Sequence, residues 1–316
     1  MCTAICYRCN GSYFGRNLDL DRGYGESVVI TPRNFEIKMR CERSLVSHYA
    51  MIGMAAVADG FPLYYEATNE KGLSMAGLSF PENAVYRSPR AGSYNVAPFE
   101  LIPWILAQCS DVSEARALLE RVNPLGVDFN GRLPLSPLHW MLSDKKCSIA
   151  AEPLSEGLKI YDDPFDVLTN NPPFEYHRTN VSNYMGLSTG PAVARLGSGL
   201  PMQNYSLGMG ALGLPGDYSS ASRFVRALFV KESSVSEHNE ESGVNQLFHI
   251  LNSVAMPKGC VRSDGRIEYT RYTCCCSADR GIYYYSTYGD PAIIAIDMHS
   301  VDTDGSQLYT YEVDGL

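Results

Sequence analysis

Residues 3–18 restrict this chain more than any other stretch. TAICYRC at 3–9 alternates its side chains as a strand with two different faces does. Asn10-Gly11 follows, and both residues tolerate the positive φ of a tight hairpin turn. SYFGRNL at 12–18 then reads as the returning strand. A hairpin closed there carries Arg16 and Asp19, in GRNLD, back beside Cys2 at the start of the chain.

The rest of the chain alternates in blocks. Further strands are predicted at 26–31, 49–58, 62–67 and 72–79, so the first quarter is a β meander. Residues 98–109 place Phe99, Ile102, Ile105 and Leu106 on a helical stripe, and Asp111 with Glu114 forms a capping box ahead of Ala115, Leu118 and Leu119. Strands at 138–143, 147–152 and 158–161 come next, then helices at 174–184, 219–231 (capped by Ser219 or Ser220) and 243–254. Strands at 267–277, 281–287, 292–297 and 307–313 close the chain. Strand blocks flanked by helical blocks imply layered sheets with helices outside, not a βαβ barrel. Residues 232–242 read as a polar surface loop or frayed helix end, and glycine-rich 195–217 as a long ordered loop.

Composition removes several classes. A formal net charge of −9 over 316 residues argues against nucleic acid, whose phosphates call for clustered Lys and Arg. No run approaches the roughly 18 apolar residues of a membrane span, and MCTAICYRCN lacks the pattern of a signal peptide, so a cytoplasmic location is expected. Ten cysteines in a reducing compartment are expected to be free thiols, most of them small buried hydrophobes.

Cys2 is the residue with the most chemistry. A small residue after Met1 favours removal of that Met, which leaves a thiol and an α-amine on one residue. An α-amine titrates near 7.7–8.0 against about 10.4 for lysine, so near neutral pH it is roughly 400-fold more available as a base. Nucleophile and base then come from one residue, the logic of an N-terminal nucleophile. An arginine near the thiol favours thiolate, and a carboxylate can orient the amine. By itself a cysteine at position 2 is more often just the second residue of a strand, and Arg16 and Asp19 are more often surface charges at a strand end. Two rival readings exist. Cys2, Cys6 and Cys9 share the C-x3-C-x2-C spacing of the iron–sulfur motif in radical S-adenosylmethionine enzymes, but nothing precedes Cys2 and the hairpin turns Cys9 away. His139, beside Trp140, could pair with a cysteine as base, although such a histidine is more often a satisfied core residue. The six histidines show no metal-ligand spacing, and no metal or cofactor is expected.

Seven segments in order resemble the choloylglycine hydrolase family, the bile salt hydrolases and the related penicillin V acylases. They are MCTAI at the start, YFGRNLD at 13–19, NEKGLSMAGL at 69–78, PLHWML at 137–142, VLTNNP at 167–172, GLPGDYSSASRFVR at 213–226 and FHILNSVAM at 248–256. The resemblance implies one N-terminal nucleophile hydrolase domain over 1–316, an α+β fold with four layers in the order αββα. It implies cleavage of conjugated bile salts through a thioester on Cys2, with penicillin V acylase activity as the near alternative, and a homotetramer.

The resemblance also assigns roles. Arg16 is expected beside the thiol, Asp19 on the α-amine, Asn170 as oxyanion donor and Arg223 as the residue holding the charged site together. Without it, Asn170 reads as a turn residue before Pro172 and Arg223 as one helical arginine among several. Leu18, Tyr24, Ala58, Phe61, Phe129 and Leu133 are expected to line an apolar substrate pocket. One position departs from the family. Where its members commonly have GLNF, this chain has GLSF, so Ser79 stands where an asparagine contributes to the oxyanion hole.

Overall fold

The computed structural model of the chain describes residues 1–131, 133–197 and 199–316. The expected hairpin is its first element. Strand β1 (Cys2–Arg8) pairs antiparallel with β2 (Ser12–Leu20), with Cys2 opposite Leu18 and Ala4 opposite Arg16. The meander continues through β3 (Glu26–Thr31), β4 (Met51–Ala58), β5 (Phe61–Asn69) and β6 (Ser74–Ser79). Then come the short strand β7 (Tyr94–Val96), helices α1 (Leu101–Gln108) and α2 (Val112–Leu119), and β8 (Val122–Pro124), which pairs in parallel with β7. The second strand block is β9 (Leu138–Ser143), β10 (Ser148–Leu154), β11 (Gly157–Asp162) and the two-residue β12 (Val167–Leu168). Helices α3 (Phe174–Asn180), α4 (Ser220–Ser233) and α5 (Glu240–Asn252) follow. The chain ends with β13 (Val261–Ser263), β14 (Arg266–Ser277), β15 (Ile282–Thr287), β16 (Ile294–Asp297) and β17 (Tyr309–Glu312).

Two sheets result. One has seven strands in the order β12-β1-β2-β14-β15-β16, with β13 attached to β14; the other has eight in the order β11-β10-β9-β6-β5-β4-β3-β17. Their inner faces make one core from residues such as Ala4, Phe14, Ile52, Met54, Ala76 and Met141, and the outer face of the first sheet packs on α4 and α5. A second core lies between the eight-stranded sheet and α1 and α2, around Trp104, Ile105, Trp140 and Leu142. The layer order is therefore αββα. Gly15 is required where α5 crosses the first sheet: a Cβ there would stand 2.2 Å from the Cys274 carbonyl oxygen and 2.7 Å from a Leu247 methyl.

Several local expectations shift. Helix α5 begins at Glu240, inside the stretch read as a loop, because the Asn239 side chain accepts from Ser242 N–H and caps it. Helix α3 stops at Asn180 and tightens into a 3₁₀ turn over Val181–Tyr184. Ser219, not Ser220, caps α4. The box ahead of α2 is only half reciprocal: Asp111 accepts from Glu114 N–H, but the Glu114 carboxylate reaches Ser110 rather than Asp111. The glycine-rich 195–217 stretch, Ser198 aside, contains only a 3₁₀ turn over Met209–Ala211. Strands β7, β8, β12 and β13 have two or three residues, too few for periodicity to register.

Candidate active site

Side chains alternate across the β1–β2 ladder, and this sorts the candidate residues onto two faces. Cys2, Leu18 and Arg16 share the face that looks at the second sheet. Asp19 is one residue out of phase with Leu18 and belongs to the other face, with Asn17 and Thr3, against the helices. Arg16 and Asp19 therefore flank residue 2 from opposite sides of the sheet.

On the inner face Arg16 is fully buried. Its Nη1 donates to the carbonyls of Tyr65 at 3.1 Å and Gly77 at 2.8 Å and lies 3.6 Å from Glu66. Its Nη2 is buried without a hydrogen-bond partner. Burial works against the guanidinium charge, but the Cys2 thiol, Tyr272, Glu66 and Cys274 outweigh it and raise the affinity for its proton. Glu66 is held in turn by the hydroxyls of Tyr283 at 2.6 Å and Tyr272 at 2.8 Å. Burial pushes its carboxyl above the usual range, opposed by Arg16 and those hydroxyls. Sequence reasoning missed Glu66. Its trace was a single acid in the strand FPLYYEATN, in phase with buried residues.

On the outer face Arg223 rises from α4, fully buried. Its Nη1 donates to the Cys2 carbonyl at 2.5 Å and to Thr3 Oγ1 at 2.7 Å, its Nη2 to Asn170 Oδ1 at 2.7 Å and its Nε to the Tyr218 carbonyl at 3.0 Å. Asn170 Oδ1 also accepts the Cys2 N–H at 2.8 Å, and Asn170 Nδ2 donates to the Ser79 carbonyl at 2.7 Å. One amide thus bridges Cys2, Arg223 and Ser79. Asp19 does not contact the Cys2 nitrogen while Met1 is attached. Its Oδ1 accepts from Thr270 at 2.6 Å, its Oδ2 is buried without a partner, and its main-chain N–H binds the Met1 carbonyl. Burial raises the Asp19 carboxyl, while the charges of Arg223 and the chain's amino group pull it down.

The thiol opens into a cleft. Leu18, Leu20, Tyr24, Ala56, Leu63, Tyr64 and Tyr65 form its strand side, and Pro98, Phe99, Phe129 and residues 133–138 its loop side. Among the described lining residues only Arg16 and Asp128 carry a charge. Leu18, Tyr24, Phe129 and Leu133 lie in this wall as the resemblance implied, but Ala58 and Phe61 do not. Phe61 has turned into the second core against Phe99 and Phe129, and Ala58 packs beside it, so Ala56 and Leu63 take the wall positions. Two roomier clefts, about 530 and about 620 Å³, share no residue with this one. In the first, Arg33 is already paired with Glu70 and Asp304.

The rival readings fail on geometry. Cys2 and Cys6 are four residues apart on one strand, about 13 Å along it, and Cys9 is exposed in the turn, so the three thiols cannot converge on a cluster. His139 is fully buried with both ring nitrogens engaged, by Glu152 and by the Thr169 carbonyl.

Residues 2–311 match the model of a family described as linear amide C–N hydrolases, choloylglycine hydrolase family. The chain belongs to the choloylglycine hydrolase family. It is therefore a hydrolase of the linear amide class. It is 47% identical over 312 residues to a bile salt hydrolase/transferase of Lactiplantibacillus plantarum, covering 98% of this chain and 96% of that protein. It is 38% identical to a conjugated bile acid hydrolase of Lactobacillus gasseri, covering 98% and 100%. Among solved structures, the C2A mutant of the conjugated bile acid hydrolase from Clostridium perfringens superposes with a TM-score of 0.92 at 34% identity, covering 100% of this chain and 98% of that one. Penicillin V acylase from Agrobacterium tumefaciens shares the fold, with a TM-score of 0.77 at 21% identity over 98% and 90% of the two chains. No helix among the described residues is long and apolar enough to cross a membrane.

Proposed function

We propose that this choloylglycine hydrolase cleaves the amide of glycine- or taurine-conjugated bile salts, with Cys2 as the nucleophile once Met1 has been removed. The observation that carries this is the placement of the Cys2 thiol at the wall of an apolar cleft, with Arg16 on its own face and the Asn170 amide against its backbone. A steroid body is apolar and suits walls of leucine, tyrosine, phenylalanine and proline.

The chemistry runs through residue 2. Its α-amine takes the thiol proton, and Sγ attacks the amide carbonyl with Arg16 beside the developing thiolate. The free N–H of Asn170 Nδ2 and the Ser79 main chain face the oxyanion, and a donor of this kind is worth about 3 kcal/mol of barrier. The protonated amine then gives its proton to the leaving glycine or taurine nitrogen as the C–N bond breaks, which leaves a thioester. Water, deprotonated by the same amine, releases the bile acid. Asp19, whose Oδ2 has no partner while Met1 is attached, holds the freed amine, and Arg223 fixes Asn170 and the Cys2 carbonyl.

A cytoplasmic homotetramer is part of the same proposal. Exposed apolar side chains between 185 and 212, among them Met185, Leu196, Tyr205 and Leu207, are available to be covered by self-association. The test is release of glycine, taurine or phenoxyacetic acid from glycocholate, taurocholate and penicillin V, respectively, by the protein with and without Met1. We expect bile salt cleavage to dominate and to require Met1 removal. Penicillin V as the preferred substrate, or activity with Met1 retained, would overturn the proposal.

A further inference from the structure

Asn170 follows a strand of only two residues, so the sheet ladder ends just before the amide that bridges Cys2 and Ser79. Its main chain is fixed by side chains instead. His139 Nε2 meets the Thr169 carbonyl at 3.0 Å, and His177 Nε2 meets the Asn170 carbonyl at 2.9 Å. Ser220 Oγ accepts the Asn170 N–H at 2.8 Å and pairs with Thr169 Oγ1 at 2.8 Å. A carbonyl only accepts, so both Nε2 atoms must carry a proton.

Both rings are fully buried and oriented by stacking. His139 lies flat on Phe80, with centroids 4.2 Å apart and planes 5° apart; His177 lies on Phe224 at 4.8 Å and 10°. His139 Nδ1 is 3.0 Å from Glu152, whose carboxylate also takes the Phe174 N–H that opens α3, the helix carrying His177. His177 Nδ1 is buried without a partner, and burial lowers the ring to about 4, which leaves it neutral with its single proton on Nε2. A buried orphan nitrogen and a buried imidazole–carboxylate pair both cost stability, so their presence beside one loop calls for a reason.

Building on the reading of Asn170 as the oxyanion donor, we propose that His139 and His177 are positioning residues for the hydrolysis. They clamp the carbonyls of Thr169 and Asn170 and so hold the Asn170 amide in register with Cys2. A shift of about 1 Å in such a donor can cost about 100-fold in rate.

The test is a double-mutant cycle on the processed enzyme. His177→Phe keeps the stack on Phe224 and removes the donor; His177→Gln keeps a donor. We expect His177→Phe to lower kcat ~10- to 100-fold with KM within about twofold, and His177→Gln to recover most of that loss. In an Asn170→Ala background the His177→Phe effect should vanish, because the group being positioned is gone. A general loss of fold quality would persist in that background. Folded His177→Phe with unchanged kcat, a change confined to KM, or additive effects in the cycle would overturn the clamp. If His177→Phe does not fold, His139→Phe, which likewise keeps the stack on Phe80 and removes the donor to Thr169, enters the same cycle under the same requirements. Unchanged kcat in Asn170→Ala alone would instead overturn the role of Asn170; a fall of ~100-fold or more there, with His177→Phe at full rate, would sink only the clamp.

Discussion

The two faces of the β1–β2 hairpin treat residue 2 differently. The inner face gives the thiol one buried cation, Arg16, whose charge is balanced by Glu66 and whose surroundings open into an apolar cleft. The outer face gives the backbone of residue 2 a closed set of hydrogen bonds from Arg223 and Asn170, sealed under α4 and α5. Charge and access are arranged on one side, geometry on the other. A single strand can serve both because its side chains and its backbone groups point in different directions.

The largest break in this comparison is Cys2→Ala. Turnover should fall at least ~1000-fold, since the substitution removes the proposed nucleophile, while circular dichroism and the melting curve stay as in the parent. Next is the inner-face double variant Arg16→Met with Glu66→Gln. Removing both partners of a buried pair is often close to neutral for stability, so the fold should hold while kcat falls ~100-fold for want of the cation. Arg223→Met should behave the other way. It strips buried donors from Cys2, Thr3, Asn170 and Tyr218 together, and denaturant unfolding should show a loss of about 3 kcal/mol as well as a fall in rate. If the double variant unfolds and Arg223→Met does not, the division of labour between the faces is wrong.

A pH measurement sharpens the outer face. His177 is lowered from its ordinary value to about 4 by burial, with His139 and Arg223 adding to the effect. A depressed folded-state value means stability that is complete above about 6.5 and is lost as pH falls toward about 4. Unfolding free energy measured at pH 7 and at pH 4.5 should therefore drop further for the parent than for His177→Gln, which has no proton to take up. The smallest effect is expected at Ser79. Its carbonyl already holds Asn170, so Ser79→Asn should change kcat/KM about two- to threefold through the side chain alone. A tenfold change would make position 79 a full member of the oxyanion site.

Much of this was legible in the chain itself. The hairpin followed from alternation and from Asn10-Gly11, because both are local properties of consecutive residues, but its register did not: Arg8 pairs with Ser12 across a three-residue loop rather than Cys9 with Ser12 across two, which sets Leu18 and not Asp19 opposite Cys2. The layered α+β class followed from the block order of strands and helices. The start of α5 did not, because an asparagine cap inside a polar stretch looks the same as a loop. Ala58 and Phe61 were misplaced in the cleft because a strand's phase decides which residues face which core, and β4 and β5 are offset by an irregularity between Met54 and Ala55.

By itself, then, the sequence determined the hairpin and the family motifs, which depend on near neighbours or on order along the chain. The tertiary structure decided which face each group would serve. Arg16 and Asp19 are three residues apart, an odd separation, so the strand period of two sends them to opposite sides of the sheet. Whether that separates them or lets them grip residue 2 from both sides depends on a second sheet below and a pair of helices above. Asn170 and Arg223 reach Cys2 from 168 and 221 residues away along the chain, Glu66 reaches Arg16 from 50 residues away, and only packing brings them there.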